Sequence, residues 1–198
     1  MSIKSASNDY PLLTHLKERW SPRAFDNRFI EPAKIRSIFE AARWAPSGFN
    51  AQPWYFITGL KGDETYDQIA SSMVDFNKLW ATQAPLLFVA IAKETGPKGE
   101  PNPTALYDLG QSIAHLTIQA MEEGLYVHQM GGFDADEIRD NFDVPDGYKV
   151  VTLVAVGYLG KPDTLHPNLK PMEISPRERR KAKESVFSGK FGISSNLF

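Results

Sequence analysis

Residues 42–56 read ARWAPSGFNAQPWYF, and they join a helical pattern on one side to a strand pattern on the other. The middle of this stretch contains two prolines and a glycine. Proline fixes φ and removes a backbone donor, whereas glycine lets another group approach the main chain closely. Ser47, Asn50 and Gln52 add hydroxyl and amide groups. The stretch is therefore either a site for a polar ligand or an ordinary connection whose polar groups satisfy their own backbone.

Two helices are predicted before this stretch. The first covers Tyr10–Trp20, because its leucines recur at helical spacing, and it stops at the Ser21-Pro22 pair. The second begins at Pro32, since proline suits the first helical position, and it runs to Ala42 with one apolar face. Both helices end close to polar groups that are candidates for binding a ligand.

Arg19, Ser21 and Arg23 lie at the turn after the first helix. A guanidinium offers a planar fork of donors and keeps its charge, so two of them around a hydroxyl suit a phosphate or a carboxylate. The alternative is that both arginines are solvated at the end of a helix, where an exposed charge contributes little.

The rest of the chain alternates strands with helices, which indicates an α/β or α+β fold with helices covering a sheet. The patterns predict strands at Pro53–Thr58, Ala84–Ala92 and Tyr148–Tyr158, and helices at Tyr66–Met73, Asp75–Trp80 and Leu106–Ala120. The helix Leu106–Ala120 is apolar on more than one side, so we expect it in the core or at a subunit interface. The loop Thr95–Pro103 carries three prolines and two glycines and is a candidate lid.

Composition bounds the possible functions. The 198 residues suit one domain, and a formal net charge of −2 gives no general attraction to nucleic acid or to an anionic membrane. There is no cysteine, which excludes thiolate chemistry and disulfides. The polar start and the lack of a long apolar run predict a cytoplasmic protein without a signal peptide or membrane helix.

Several catalytic signatures are missing from the sequence. It contains no glycine-rich dinucleotide fingerprint, no phosphate loop and no nucleophile elbow. Its four histidines show no metal-ligand spacing, so no metal site is expected. If the protein is an enzyme, we expect a bound organic cofactor to carry the reaction.

Four stretches, taken together and in this order, resemble the FMN-dependent nitroreductase family. They are RWSPRAF at 19–25, APSGFNAQPW at 45–54, MGGF at 130–133 and SPRER at 175–179. The resemblance covers nearly the whole chain. It implies an α+β fold with a central, largely antiparallel sheet flanked by helices, and an intertwined homodimer with two FMN sites at the subunit interface.

The resemblance also implies the residues that bind the cofactor. The groups that hold the phosphate are expected to be Arg19, Ser21, Arg177 and Arg179. At the pyrimidine edge of the flavin ring the family pattern matches Arg23 and Asn77, and the cation of Arg23 would tune reactivity. The segment that covers the partner's cofactor matches Pro46, Ser47, Gly48 and Asn50. The backbone turn near the hydride-accepting nitrogen matches Gly131 and Gly132. Three neighbouring positions complete the expected set: Trp20, Gln52 and Met130.

The resemblance predicts one domain, 1–198, with residues 161–198 as an arm that packs on the partner subunit. Apolar residues at the end of the chain agree with such an arm, because they would be costly in water. Two positions depart from the pattern of the family: Trp80 stands where some relatives have a lysine, and Lys181 where many have a proline.

The implied activity is hydride transfer from NADH or NADPH to bound FMN and then to a nitroaromatic or a quinone, by a ping-pong mechanism. No side chain is expected to act as a catalytic group. Two alternatives remain at this point. One is a non-catalytic module that binds or stores flavin, and the other is a dehalogenase-like relative on the same fold.

Overall fold

The computed structural model describes residues 4–96 and 98–198. Within these ranges, five strands form one antiparallel sheet, and helices pack on it. The strands are β1 (Phe25–Asp26), β2 (Trp54–Leu60), β3 (Leu86–Lys93), β4 (Tyr126–Met130) and β5 (Tyr148–Leu159). The helices are α1 (Thr14–Glu18), α2 (Pro32–Arg43), α3 (Glu64–Ser71), α4 (Asp75–Ala81), α5 (Ala105–Glu122), α6 (Ala135–Asn141) and α7 (Lys170–Ile174). The predicted α+β fold, with a central antiparallel sheet flanked by helices, is confirmed.

Strand β5 organises the sheet, because it pairs with β1, β3 and β4, while β2 pairs with the other edge of β3. All of these pairings are antiparallel. Strand β3 is buried from Leu86 to Ala92, as its continuous apolar run predicts for a central strand. Helices α2 and α5 pack over one face, and α3, α4 and α6 contribute to a second apolar cluster over the other.

The first helix is shorter than its pattern predicts. Only Thr14–Glu18 is helical, and the prediction of a helix over Tyr10–Trp20 is wrong at both ends. Pro11 disfavours helix at the residue before it, and no side chain caps the N-terminus. Arg19 already has extended dihedral angles, with φ −65° and ψ 141°. This early stop leaves residues 19–24 as a loop.

Helix α5 buries only one face within this chain. The buried positions recur at Ala105, Leu109, Ile113 and Leu116, whereas Leu106 and Tyr107 are exposed. The buried face of α5 lies in the core, as expected, while no described residue of this chain covers its second apolar side. None of the described helices is long and apolar enough to cross a membrane.

The last segment of the chain divides into two parts. Leu165 and Leu169, near the start of the predicted arm 161–198, are buried in the protein's own core cluster. Further on, Phe191 is 94% exposed and Leu197 is 80% exposed. The packing of this exposed part on a partner subunit stays a prediction.

Candidate functional site

A cavity of about 290 Å³ brings together arginines from both ends of the chain. It is lined by Ala6, Ser7, Leu12, Leu16, Arg19, Arg177 and Arg179. Three of the four residues predicted to hold a phosphate are in this lining. The fourth, Ser21, lies on the same loop as Arg19 but is exposed and is not part of the lining.

The guanidinium groups in this arginine cavity repel one another. Burial lowers the pKa of Arg19, and the neighbouring charge of Arg179 lowers it further. Burial and the charges of Arg19 and Arg179 likewise lower the pKa of Arg177, an effect that Glu18 partly offsets. The Nε atom of Arg19 is buried and has no hydrogen-bond partner among the described residues. Such a cluster suits an anion that accepts several hydrogen bonds.

Arg177 is engaged with the main chain. Its Nε donates to the carbonyl oxygen of Lys4, and its two Nη atoms donate to the carbonyl oxygens of Arg19 and Lys17. Three of the five N–H groups of a guanidinium are thereby used. Arg177 thereby links Lys4 and residues 17–19 to the C-terminal segment. Its direct contact with a phosphate stays a prediction.

Arg23 follows on the same loop and faces helix α4. Its Cζ atom lies 5.7 Å from the ring centroid of Trp80 and 6.0 Å from that of Phe76. Its Nε atom is buried without a partner in the described structure. Burial lowers the pKa of Arg23, and the carboxylate of Glu173 raises it in part. The side chain is thus a partly buried cation with a free donor.

Two further residues hold this loop, and the sequence analysis did not identify either. Glu173 accepts hydrogen bonds from the main-chain amides of Arg23 and Ala24. His128 lies 2.8 Å from the carbonyl oxygen of Pro22 through Nδ1, which as the protonated nitrogen donates to that oxygen. Burial lowers the pKa of His128 to about 4. One signal was available for Glu173, which continues the four-residue spacing of Leu165 and Leu169.

Trp80 packs in the core instead of presenting a polar group at the surface. It is buried, its ring stacks on Phe25 at 6.3 Å, and it lies 4.3 Å from the ring of His128. Its Nε1 atom is buried and finds no partner among the described residues. Trp80 therefore forms a wall between Arg23 and strand β4.

The predicted residues Asn77, Gly131 and Gly132 lie together. The side-chain amide of Asn77 donates to the carbonyl oxygen of Gly132 at 2.9 Å. A Cβ atom at Gly132 would lie 2.9 Å from both Asn77 and Val74, so a larger residue there would force these side chains to shift. A Cβ atom at Gly131 would meet only open space, and φ is not positive at that residue. Nothing in the described chain explains glycine at 131, which agrees with close approach by a ligand. Met130 precedes this turn and is buried.

The stretch around Ser47 forms a separate and strained loop. Phe49, Asn50 and Gln52 have φ values of 51°, 55° and 46°, in the left-handed region that side chains disfavour. The main-chain amide of Gly48 donates to Asp108 at 3.1 Å, and the Ser47 hydroxyl accepts from the amide of Gln52 at 3.0 Å.

Asp108 could have been identified from the sequence, because it is an acid on the buried stripe of helix α5. Pro46, Ser47 and Asn50, with their neighbours in this strained loop, are not in the lining of the arginine cavity. No hydrogen bond between described residues joins the two sites. Trp20 belongs to the loop of residues 19–24, and its ring packs against Tyr126 and under the ammonium of Lys4.

The arrangement can bind an anion next to a surface walled by Trp80 and Arg23. Within residues 4–96 and 98–198, no cluster of three or more His, Cys, Asp or Glu side chains could hold a metal ion. The site therefore offers cationic donors, main-chain groups and an aromatic wall.

Known proteins with similar sequences and structures agree on one family. The model of the nitroreductase family matches residues 16–76 and 60–158. An uncharacterised 15.4 kDa protein of Mycolicibacterium smegmatis is 35% identical over 148 residues, which are 69% of this chain and 97% of that protein. A putative NADH dehydrogenase/NAD(P)H nitroreductase of Ralstonia nicotianae is 26% identical over 159 residues, which cover 70% of this chain and 80% of the relative.

Among solved structures, an oxidoreductase containing FMN is 33% identical and superposes with a TM-score of 0.88. The match covers 95% of this chain and 96% of that protein. The family match spans well over half of the sequence, and the fold agrees along nearly its whole length. This chain therefore belongs to the nitroreductase family.

Proposed function

We propose that the protein is an FMN-dependent oxidoreductase that takes hydride from NADH or NADPH and reduces nitroaromatics or quinones by a ping-pong mechanism. Family membership and the similar FMN-containing oxidoreductase support the flavin, and the similarity to a putative NAD(P)H nitroreductase supports the nicotinamide donor. The observation that carries the proposal is the arginine cavity, with the buried and unpartnered Nε atom of Arg19.

The residues present fit FMN at both of its ends. The phosphate of FMN carries nearly two negative charges, which suits a cavity where burial and like charge disfavour the cationic form of Arg19. The free Nε atom of Arg23 and the open space beside Gly131 suit the polar edge of a flat ring. Bound FMN would supply a group that accepts hydride from the donor and later passes it to the acceptor.

The protein's own residues would bind, orient and polarise. Arg19 and Arg179 would donate to the phosphate, while Arg177 orders the loop that carries Arg19. Arg23 would hold a positive charge at the ring edge, in a partly buried place where charge interactions are strong. The turn at Gly131 and Gly132, fixed by Asn77, would offer main-chain amides. None of these roles requires a side chain that transfers a proton.

We also propose that the active form is a homodimer. Helix α5 leaves Leu106 and Tyr107 exposed, and next to them Gly110 has open space around it. Leu13 on the edge of α1 and the C-terminal Phe191 are also exposed. A second copy would cover these apolar groups, and the strained loop of each chain would then complete the partner's cofactor site.

The absorbance spectrum of the purified protein tests the proposal, followed by release of the cofactor and its stoichiometry. We expect a yellow dimer with one FMN per chain. With NADPH and menadione both varied, double-reciprocal plots should give parallel lines, and intersecting lines would contradict the ping-pong order. Bound FMN without NADH or NADPH oxidation would favour a flavin-storing module. A colourless protein that does not take up added FMN would refute the proposal.

A further inference from the structure

Glu173 is a buried carboxylate in the C-terminal segment that binds the loop presenting Arg23. Its residue is 2% exposed. Its Oε1 atom accepts from the amide of Arg23 at 3.1 Å and from that of Ala24 at 2.9 Å, and its Oε2 atom accepts from Arg23 at 3.0 Å. The carboxylate therefore satisfies two adjacent main-chain amides that are about 150 positions away in sequence.

A buried carboxylate is costly unless it is paired and hydrogen-bonded. Two cations lie near Glu173: burial lowers the pKa of both Lys4 and Arg23, and the charge of Glu173 partly offsets that shift. Helix α7 is held in turn, because the ammonium of Lys4 donates to the carbonyl oxygen of Met172 at 2.9 Å. The carboxylate is thus fixed by its own helix and aimed at the main chain of one short loop.

These hydrogen bonds affect the position of the Arg23 side chain. Its main-chain amide is held by Glu173, while its guanidinium lies against the rings of Trp80 and Phe76. Loss of the carboxylate would leave two amides without their acceptor and free the backbone on which Arg23 is mounted. A displacement of about 1 Å is enough to weaken a preorganised charge interaction substantially.

We propose that Glu173 is a positioning residue that holds Arg23 at the flavin edge and thereby raises the reduction potential of bound FMN. The inference rests on the proposed function. A cation at that edge stabilises the negative charge gained on reduction, so a misplaced Arg23 makes the potential more negative. A carboxylate acting only through its own charge has the opposite effect, because its removal makes the potential more positive. The sign of the shift therefore separates positioning from direct electrostatics.

The test compares E173Q, E173D and the control D163N, which removes an exposed carboxylate that pairs with Lys170 of α7 and contacts neither amide. Glutamine keeps one acceptor oxygen but turns a donor toward the amides, whereas aspartate keeps the charge on a shorter side chain. We expect E173Q to stabilise the reduced flavin about tenfold less than the wild type does. This loss corresponds to a two-electron reduction potential about 30 mV more negative. E173D should recover part of that loss, and D163N should match the wild type. A potential that is unchanged or more positive in E173Q would overturn the proposal.

A double-mutant cycle shows whether Glu173 acts through Arg23. In an R23A background, E173Q should no longer make the potential more negative. A shift of equal size with and without Arg23 would refute the proposed route. If E173Q does not fold, the same cycle is run with E173D, which should give a smaller shift of the same sign.

Hydrogen exchange tests the positioning step without any flavin. The amides of Arg23 and Ala24 should exchange at least tenfold faster in E173Q than in the wild type or in D163N. Unchanged protection would contradict the positioning role even if the wild type is yellow. A colourless wild type would refute the proposed function and the effect on the reduction potential. If exchange of the two amides still became faster in E173Q, the contact between Glu173 and the loop would nevertheless be confirmed.

Discussion

The two loops expected to contact the cofactor are built in different ways. The loop Arg19–Ala24 is held from three directions by Glu173, Arg177 and His128, and no residue in it has a positive φ. The loop Ser47–Gln52 is hydrogen-bonded to one buried acid, Asp108, and three of its residues have backbone dihedral angles in the left-handed region. One loop is fixed by its own chain, whereas the other is strained and exposes Phe49 completely.

This difference indicates which half of the site a single chain can complete. Groups that bind a phosphate must be in place before the ligand arrives, because ordering them on binding would reduce affinity. A loop that stores backbone strain is maintained only where its surroundings over-determine it. In the proposed homodimer, the partner subunit would supply such surroundings for the loop Ser47–Gln52. The predictions below test this contrast, from the largest expected effect to the smallest.

Removing each buried acid should show how differently the loops are held. E173A leaves two buried amides unsatisfied, and at about 1–3 kcal/mol for each we expect a loss of about 4 kcal/mol in the free energy of unfolding. D108A removes the acceptor of the Gly48 amide and one of the two acceptors of the Thr104 hydroxyl, which also donates to Asn102, and should cost about 1–2 kcal/mol. Urea unfolding of both variants measures the difference. Equal losses would mean that the two loops are held equally well.

The free energy of unfolding should decrease as the pH falls, because burial favours the neutral form of His128. The pKa of His128 is about 4 in the folded protein, below its ordinary value of 6.5, so in this window the unfolded chain binds more protons. The associated stability is complete above pH 6.5 and is lost between pH 6.5 and 4, by roughly 3 kcal/mol. Unfolding in urea at pH 7 and pH 5 should show most of this loss. In H128Q the loss across that interval should be smaller, and an equal loss would exclude His128 as its source.

Binding of FMN should depend more on the fixed loop than on charge in general. R19A removes a buried donor from the arginine cavity, and a hydrogen bond to a charged group is worth about 1.5–3 kcal/mol. We expect the affinity of the apoprotein for FMN to fall about thirtyfold, measured by quenching of flavin fluorescence. R180A is the matched control, since Arg180 is exposed and outside the cavity lining. Equal losses in R19A and R180A would point to net charge alone.

Local patterns were sufficient for much of the fold. Strand β3 follows from its unbroken apolar run, and α2 from Pro32 at its start and one apolar face. The short α1 was overestimated, because periodic leucines indicate a face and do not fix where a helix ends. The open side of α5 has the same origin, since a pattern shows that a face is apolar without showing what covers it.

The site was predictable where its chemistry is carried by a contiguous motif. The arginines and the glycine pair could be located in advance, and the structure brings Arg19 and Arg177 to one cavity. The contacts by which Glu173 and His128 hold the first loop could not be predicted, because they are made to main-chain groups more than 100 positions away. A hydrogen bond to a backbone amide requires no particular side chain on the other partner, so it leaves no local pattern.

The smallest expected effect is a change in the free energy of unfolding when the strain in the loop Ser47–Gln52 is relieved. Phe49 has φ 51°, a conformation that costs a non-glycine residue about 1–2 kcal/mol, and F49G removes that cost. Glycine also adds about 0.4–1 kcal/mol of freedom to the unfolded chain, so the monomer should gain only about 0.5 kcal/mol. Urea unfolding at low protein concentration measures this gain, and F191G, which changes another exposed phenylalanine without positive φ, should show none. At high concentration F49G should instead be less stable than the wild type, because a dimer that buries Phe49 loses that contact. A gain of the same size at both concentrations would show that no partner covers this loop.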